Sequence, residues 1–230
     1  MMDSERPDGG KLGHMFLGHF AVGFAAKRAA PRSSLATMFA AACFLDLLWP
    51  LFVLLGIESF RIVPGETVLT PLAFDHYPWS HSLVMAIAWG LVFGVVVARW
   101  GSGALGAGLA GLAVVSHWAL DYIAHVPDLP LAPSGGVKVG MGLWNQPAIE
   151  IPLEVGLYVA GVALYAAGTK ARDKIGSIGL WSLVGGLALL YAANLLGPPP
   201  PGTQAVAMAD LIAILFLFWA AWVDRHRVAR

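Results

Sequence analysis

Histidine and aspartate side chains recur inside, or at the ends of, segments that are otherwise apolar. The densest group is His117, Asp121 and His125, which follow one another at intervals of four residues at the end of a long apolar run. On a helix this spacing places all three side chains on one face. Ionisable groups are costly in hydrocarbon and tend to face a bundle interior, where they serve ions, protons or substrates. Because imidazole and carboxylate are ligands of zinc, manganese and iron, the pattern predicts a metal site.

The same spacing bears on the number of ions. On a helix that rises ~1.5 Å per residue, the backbones of His117 and His125 lie about 12 Å apart. Since ligand bonds are near ~2 Å, we do not expect one ion to take both side chains. Asp121 lies one turn from each and could bridge two ions about 3.5–4 Å apart. A buried His117–Asp121 hydrogen bond that only packs helices is the structural alternative.

Other segments carry further candidates for the site. They are His19, Asp46, His76, His81, Glu150 and Glu154. The predicted metal ligands are then His19, Asp46, His76, His81, His117, Asp121 and His125. The predicted general base is Glu150, Glu154 or a histidine that does not bind the ion, such as His81.

The composition is typical of a membrane protein. Hydrophobic residues make up 58% of the chain and charged residues 12%, whereas soluble domains have roughly 25% charged residues. Fourteen basic and fourteen acidic residues give a net charge of zero, so no basic surplus points to nucleic acid. The single cysteine, Cys43, excludes an intramolecular disulfide and a cysteine-based metal site.

Apolar runs predict the helices, since a membrane span needs about 20 mainly apolar residues. The six runs are roughly 35–57, 82–99, 103–125, 151–168, 178–196 and 205–223. A seventh segment, about 14–26, is apolar but short. We therefore expect an all-α fold: one polytopic transmembrane helix bundle over residues 1–230, with six helices and a short N-terminal helix. A polar tail (1–13) and a basic tail (224–230) flank it.

Basic residues predict the orientation. They collect in four segments that hold Lys27, Arg28 and Arg32; Arg99; Lys170, Arg172 and Lys174; and Arg225, Arg227 and Arg230. Loops rich in Lys and Arg stay cytoplasmic, so we expect a cytoplasmic C-terminus. In that topology the predicted ligands converge on the outer half of the membrane, and the expected location is a bacterial inner membrane.

The segment after His125 is rich in Pro and Gly, which predicts a structured loop rather than a helix. Trp144 lies in this loop and is expected to anchor it at the level of the lipid headgroups. The loop could form a lid over an outward-facing metal site.

At these residues the chain resembles the predicted inner-membrane metal-dependent hydrolases. Their pattern is an early His, an Asp that ends the second helix segment, a His-x4-His-Ser element and a His-x3-Asp. The matching positions are His19, Asp46, His76 and His81 followed by Ser82, and His117 with Asp121. The resemblance covers about residues 14–130, just over half the chain. Two features depart from the pattern: the usual Pro-Asp-x-Asp is reduced to one Asp, and the Arg-Gly after the first His of the element is Tyr-Pro.

The ligand order is also similar, more distantly, to that of the zinc-dependent phospholipase C and P1-nuclease family, which hydrolyses phosphoesters. That order is His, Asp, His, His-x3-Asp, His and then His-x3-Glu. The resemblance implies that Asp121 bridges two ions, one held by Asp46, His117 and His76 or His81. It implies another ion at His125, Glu150 and Glu154, although the family's last His is a Glu here.

Together these features predict a membrane-embedded hydrolase that uses a divalent metal. Zinc is the expected metal, and manganese and iron are the alternatives. A metal-activated water would cleave a phosphoester or other ester in a membrane lipid or lipid-linked substrate. Two other classes stay open. One is a non-catalytic metal-binding or structural membrane protein. The other is a metal or proton transporter, or a haem protein that uses two histidines on facing helices.

Overall fold

Helices dominate the structure, a computed structural model that describes residues 16–230. The helices are α1 (Leu17–Ala29), α2 (Leu35–Ala42), α3 (Phe44–Leu54), α4 (Pro78–His81), α5 (Leu83–Arg99), α6 (Gly103–Ala124), α7 (Pro147–Gly168), α8 (Lys174–Leu196), α9 (Thr203–Asp210) and α10 (Ala213–Arg225), with a short 3₁₀ turn at Leu143–Asn145. The predicted all-α bundle is confirmed. The predicted tail 1–13 and the start of the segment 14–26 lie outside the described residues.

Three short antiparallel strand pairs, of which the first two are hairpins, lie between or beside the helices within the described part of the chain. Their strands are β1 (Ser59–Ile62) with β2 (Leu72–His76), β3 (Leu129–Pro130) with β4 (Lys138–Val139), and β5 (Thr169–Ala171) with β6 (Arg227–Ala229). The first two hairpins lie at one end of the bundle, where the Lys138 ammonium of β4 donates to the Asp75 carbonyl of β2 at 3.4 Å. The third pair lies at the other end.

Several helices have the length and composition of membrane spans. Among the described residues four qualify: α6, α7, α8 and the stretch Thr203–Arg225 that contains α9 and α10. The pair α2 and α3 would make a fifth if it counts as one bent span. The helix α5 is apolar but shorter.

The run predicted as one helix over 35–57 is divided at Cys43, where α2 and α3 meet at an angle of 56°. Ala42 ends α2, and Asp46 lies in the first turn of α3. Both residues contact His117 of α6: the Ala42 carbonyl lies 2.8 Å from Nδ1, and Asp46 Oδ1 lies 3.3 Å from Nε2. The bend therefore brings the end of α2 and the first turn of α3 against the same imidazole ring.

Glycines allow the helices that carry the candidate ligands to pack closely. A Cβ on Gly111 of α6 would lie 2.8 Å from the Gly90 carbonyl oxygen of α5. Likewise, a Cβ on Gly161 of α7 would lie 2.5 Å from the Ala21 carbonyl oxygen of α1. In membranes, where water drives no helix association, such small-residue contacts hold helices together by van der Waals packing. They fix α6 and α1 against their neighbours.

Three of the four basic segments meet at the end of the bundle that holds β5 and β6. The Lys27 ammonium lies 3.1 Å from Asp224 Oδ2, and it also donates to the Ser33 carbonyl. The backbone N–H of Arg172 donates to the His226 carbonyl. Segments that follow α1, α7 and α10 are thus joined at one end, opposite the β1–β2 and β3–β4 hairpins.

Candidate metal centre

Five of the predicted ligands converge in the bundle interior, from four different helices. They are His19 of α1, Asp46 of α3, His81 of α4, and His117 and Asp121 of α6. Among the described residues, their ligand atoms form two overlapping groups in which all atoms lie within 4.8 Å of one another. One group is His19, His117 and Asp121, and the other is Asp46, His81 and His117. This buried set of imidazoles and carboxylates could hold a metal ion.

The distances within the cluster suit ligands that share an ion. His117 Nε2 lies 3.3 Å from Asp46 Oδ1 and 3.2 Å from Asp121 Oδ2. His81 Nε2 lies 3.4 Å from Asp46 Oδ1 and 3.7 Å from Asp121 Oδ2. Two ligands on bonds of about 2.1 Å at a tetrahedral angle are about 3.4 Å apart. The group Asp46, His81 and His117 therefore has the spacing of a three-ligand site.

The hydrogen bond at the far side of His117 settles which of its nitrogens can bind an ion. Its Nδ1 lies 2.8 Å from the Ala42 carbonyl oxygen, which can only accept a hydrogen bond. Nδ1 therefore carries a proton, and in the neutral ring Nε2 presents a lone pair to the two aspartates. A backbone carbonyl on the outer nitrogen is the usual way in which proteins orient a histidine that binds a metal.

Several polar atoms at the centre of the cluster lack a hydrogen bond. Within residues 16–230 these include both ring nitrogens of His19, Nε2 of His117 and Oδ2 of Asp121. His19 Nε2 approaches Asp121 Oδ1 to 3.3 Å, and its ring stacks on that of His117 with centroids 3.6 Å apart. Leaving a buried polar atom unsatisfied costs about 1–3 kcal/mol. A shared cation between these atoms would remove that cost, so the residues present fit a metal ion.

Two cavities flank the cluster, and Asp46 and Asp210 line both. The larger has a volume of about 80 Å³ and lies between α1, α3, α8 and the α9–α10 stretch. The smaller, of about 30 Å³, lies under the loops and is lined by Asp46, Trp49, Leu72, Phe74, Tyr77, His81, Asp121, His125, Trp144 and Asp210. Because a water needs about 10–15 Å³ of such space, both have room for water beside the candidate ligands. Asp210 was not among the sequence candidates.

His125 lies at the edge of the smaller cavity and not in either ligand group. It is the C-cap of α6, with an extended backbone (ψ 148°), so its side chain leaves the helix face shared by His117 and Asp121. Its Nδ1 lies 2.9 Å from Asp128 Oδ1, which also accepts from the Tyr77 hydroxyl at 3.1 Å. Burial and the negative charge of Asp128 raise the pKa of Tyr77 well above its usual range, so the phenol keeps its proton.

Trp144 covers the part of the site that surrounds His125. The prediction of a headgroup anchor is wrong in its placement, because the side chain is 1% exposed and its ring lies 4.0 Å from that of His125. The loop that carries it does cover the smaller cavity. Asp128, three residues after His125, was missed by the sequence reasoning, although a carboxylate one turn from a histidine is a usable signal.

The other candidates lie apart from the cluster. His76 ends β2 and is exposed, so the His-x4-His element contributes His81 alone. Glu154 Oε1 accepts hydrogen bonds from the backbone N–H groups of Phe16 and Gly18, at the start of α1. Glu150 lies one turn earlier on α7 and is buried. Among the described residues, His125, Glu150 and Glu154 form no group at ligand distance.

Compared with known proteins, the chain matches no family model, no curated protein and no solved structure. The family resemblance therefore stays a prediction that rests on the motif residues. The arguments about function rest on the geometry of the cluster and its cavities.

Proposed function

We propose that this protein is a membrane-embedded, metal-dependent hydrolase that cleaves a phosphoester or ester in a lipid-associated substrate. The observation that carries the proposal is the buried cluster of His19, Asp46, His81, His117 and Asp121 between two cavities. We propose zinc as the metal, since catalytic zinc sites combine three imidazole or carboxylate ligands with an open position for water.

A bound divalent ion would polarise the scissile group and lower the pKa of a water toward about 7. The chain's own contribution is to position that water and move its proton. His125 lines the same cavity as His81 and Asp121, and Asp128 holds its Nδ1. A histidine oriented by a carboxylate is a common general base. In this respect His125 is better placed than Glu150 or Glu154, which line neither cavity.

The proposed reaction is simple hydrolysis. The water oxygen forms a bond to phosphorus or to the acyl carbon, and the bond from that atom to the leaving oxygen breaks. His125 accepts the proton of the water and returns it to the leaving oxygen, which departs as an alcohol. The products are the alcohol and the acid, and no oxidant or further reactant is needed.

The larger cavity supports a lipid-associated substrate. Its wall is mainly apolar and includes Phe20, Leu190, Val206 and Ile212, and His19 and Asp46 also line it. Ile212 is 43% exposed on the outer surface of a stretch that is long and apolar enough to span a membrane. An apolar chain that enters from the bilayer would therefore place its polar end beside the cluster.

We also propose that the basic end of the bundle is cytoplasmic, in a bacterial inner membrane, and that the cluster lies toward the outer face. A reporter fused after Arg230 is expected to be cytoplasmic, and one inserted near Gly136 is expected to be outside. The reverse result would contradict both the topology and the outward-facing position of the cluster.

The decisive experiment measures metal and turnover together. Detergent-purified wild-type protein is expected to carry about one equivalent of transition metal, and His117→Ala is expected to lose it. Hydrolysis of bis(p-nitrophenyl) phosphate, p-nitrophenyl butyrate and phosphatidic acid should then depend on added zinc and stop with a chelator. Stable wild-type protein that takes up no zinc would refute the proposal.

A purely structural role is the second candidate, and one observation favours it. With Nδ1 bonded to Ala42, a doubly protonated His117 would lie between the two carboxylates of Asp46 and Asp121 at ion-pair distances. Such a buried pair would hold α3 to α6 without any metal. The two possibilities differ in whether zinc stabilises the protein and whether Asp46 is needed for that effect.

A further inference from the structure

A buried glutamate outside the ligand cluster, Glu58, is joined to His81 through Ser80. Glu58 is 3% exposed, and its Oε1 accepts the backbone N–H groups of Trp79 and Ser80, both at 2.8 Å. Its other oxygen, Oε2, accepts the Ser80 hydroxyl at 2.6 Å. The Ser80 Oγ in turn lies 2.7 Å from Nδ1 of His81. The three side chains thus form a chain that ends at a candidate ligand.

The direction of each hydrogen bond in this chain follows from the number of protons. The Ser80 hydroxyl has one proton. Glu58 Oε2 accepts from this hydroxyl at 2.6 Å, whereas the Tyr77 carbonyl lies 3.5 Å away, at the limit of a hydrogen bond. The proton therefore goes to Glu58, and Ser80 Oγ can only accept from His81. Nδ1 of His81 must carry a proton, which leaves Nε2 as the nitrogen that faces Asp46 and Asp121.

We infer that Glu58 and Ser80 are positioning residues that keep the Nε2 lone pair of His81 free to bind a metal ion. The inference rests on the proposed metal centre and adds two residues that act through His81 and do not touch the ion. Outer residues that fix the tautomer of a ligand histidine typically change metal affinity by 10–100-fold when they are replaced.

The Glu58→Gln variant tests the direction of the hydrogen bonds that join His81, Ser80 and Glu58. Two backbone N–H groups need an acceptor at the position of Oε1, so the amide oxygen must lie there. The amide nitrogen then takes the position of Oε2 and donates to Ser80. Ser80 must now turn its proton toward Nδ1 of His81, which moves the ring proton to Nε2 and blocks the ligand atom. Replacing one carboxylate oxygen by an amide nitrogen would therefore reverse the direction of both side-chain hydrogen bonds.

Zinc titrations of chelator-treated protein in detergent measure the effect, with cobalt absorption as a second probe. We expect Ser80→Ala to weaken zinc binding about 10-fold, because His81 loses its tautomer preference, and Glu58→Gln to weaken it about 100-fold. The double variant should bind zinc like Ser80→Ala alone, because without the hydroxyl the amide cannot reach His81. A merely structural role of Glu58 would instead leave the double variant at least as weak as Glu58→Gln.

Ser116→Ala is the matched control. Ser116 also directly precedes a candidate ligand, His117, but its hydroxyl donates to the Ala113 carbonyl of its own helix. Its zinc affinity should stay within about 2-fold of wild type.

Ring ¹⁵N spectra of histidine-labelled wild-type protein, with the His81 signals assigned as those lost in His81→Ala, give a measurement that does not depend on how Ser80→Ala and Glu58→Gln fold. They should show His81 protonated at Nδ1, and a proton at Nε2 in metal-free protein would overturn the inference. So would zinc affinity that is equal in wild type, Ser80→Ala and Glu58→Gln. Failure of the proposed metal centre looks different, because wild type itself would then bind no zinc.

Discussion

Replacing Asp46 by Asn separates a metal centre from a structural ion pair, because the two predict different responses of the protein to zinc. The exchange keeps the shape of the side chain and removes one negative charge. Asp46 Oδ1 lies 3.3 Å from His117 Nε2 and 3.4 Å from His81 Nε2. In a metal centre these two nitrogens face the ion, so Asp46→Asn removes a ligand and its negative charge. The variant should then lose the stabilisation that zinc gives to wild type, whatever the exchange does to metal-free protein.

The expected size of the effect follows from the stabilisation of the folded protein by bound zinc. Zinc at 100 times its dissociation constant stabilises the folded state by about 2.7 kcal/mol. For a chain of this size that corresponds to a rise in melting temperature of about 5–10 °C. If losing a ligand weakens binding about 100-fold, the same zinc concentration stabilises Asp46→Asn by only about 0.4 kcal/mol. The rise should therefore almost disappear in the variant.

The structural alternative predicts that zinc has no effect on stability. A protonated His117 at 3.3 Å from Asp46 gains about 5 kcal/mol at an effective dielectric constant of about 20, before the cost of desolvation. Asp46→Asn would then lower the melting temperature of metal-free protein, and zinc would change neither protein. Thermal unfolding in detergent, with and without zinc, measures both quantities. Asp75→Asn is the control, since Asp75 pairs with Arg61 on the surface. An early-melting Asp46→Asn protein beside a zinc-insensitive wild type would refute the metal centre.

Three further predictions follow from the same contacts. His125→Ala should keep its zinc but lose about 100-fold or more in hydrolysis rate, and loss of the metal instead would make His125 a ligand. Gly111→Leu should lower stability by about 1–3 kcal/mol because its Cβ would lie 2.8 Å from the Gly90 carbonyl oxygen. Gly108→Leu is the control and should be tolerated, because the space around its Cβ is open. Equal melting temperatures of the two variants would contradict the close packing. Glu154→Ala should cost about 0.5–2 kcal/mol through the lost cap on α1, while Glu154→Gln, which keeps an acceptor oxygen, should retain stability, zinc and activity; an inactive but stable Glu154→Gln protein would instead support the predicted role as general base.

The sequence determined the features that depend on neighbours along the chain. Apolar runs predict the helices because each must bury its backbone polar groups within itself in a membrane. The interval between His117 and Asp121 predicts their contact, which is 3.2 Å, because residues four apart on a helix are adjacent. The same rule fails for His125, since α6 ends at Ala124 and Pro127 disfavours a longer helix.

Only the tertiary structure decided which distant residues join that pair. His76 and His81 are equally plausible ligands in the sequence, but one ends an exposed strand and the other lies in a short buried helix. The bend at Cys43 turns Asp46 toward His117, and no local pattern had indicated an interruption there. No local pattern indicates Glu58, because it lies 22 residues before Ser80, whose hydroxyl it binds. Contacts of this kind arise from the packing of whole helices and loops, which no short stretch of sequence specifies.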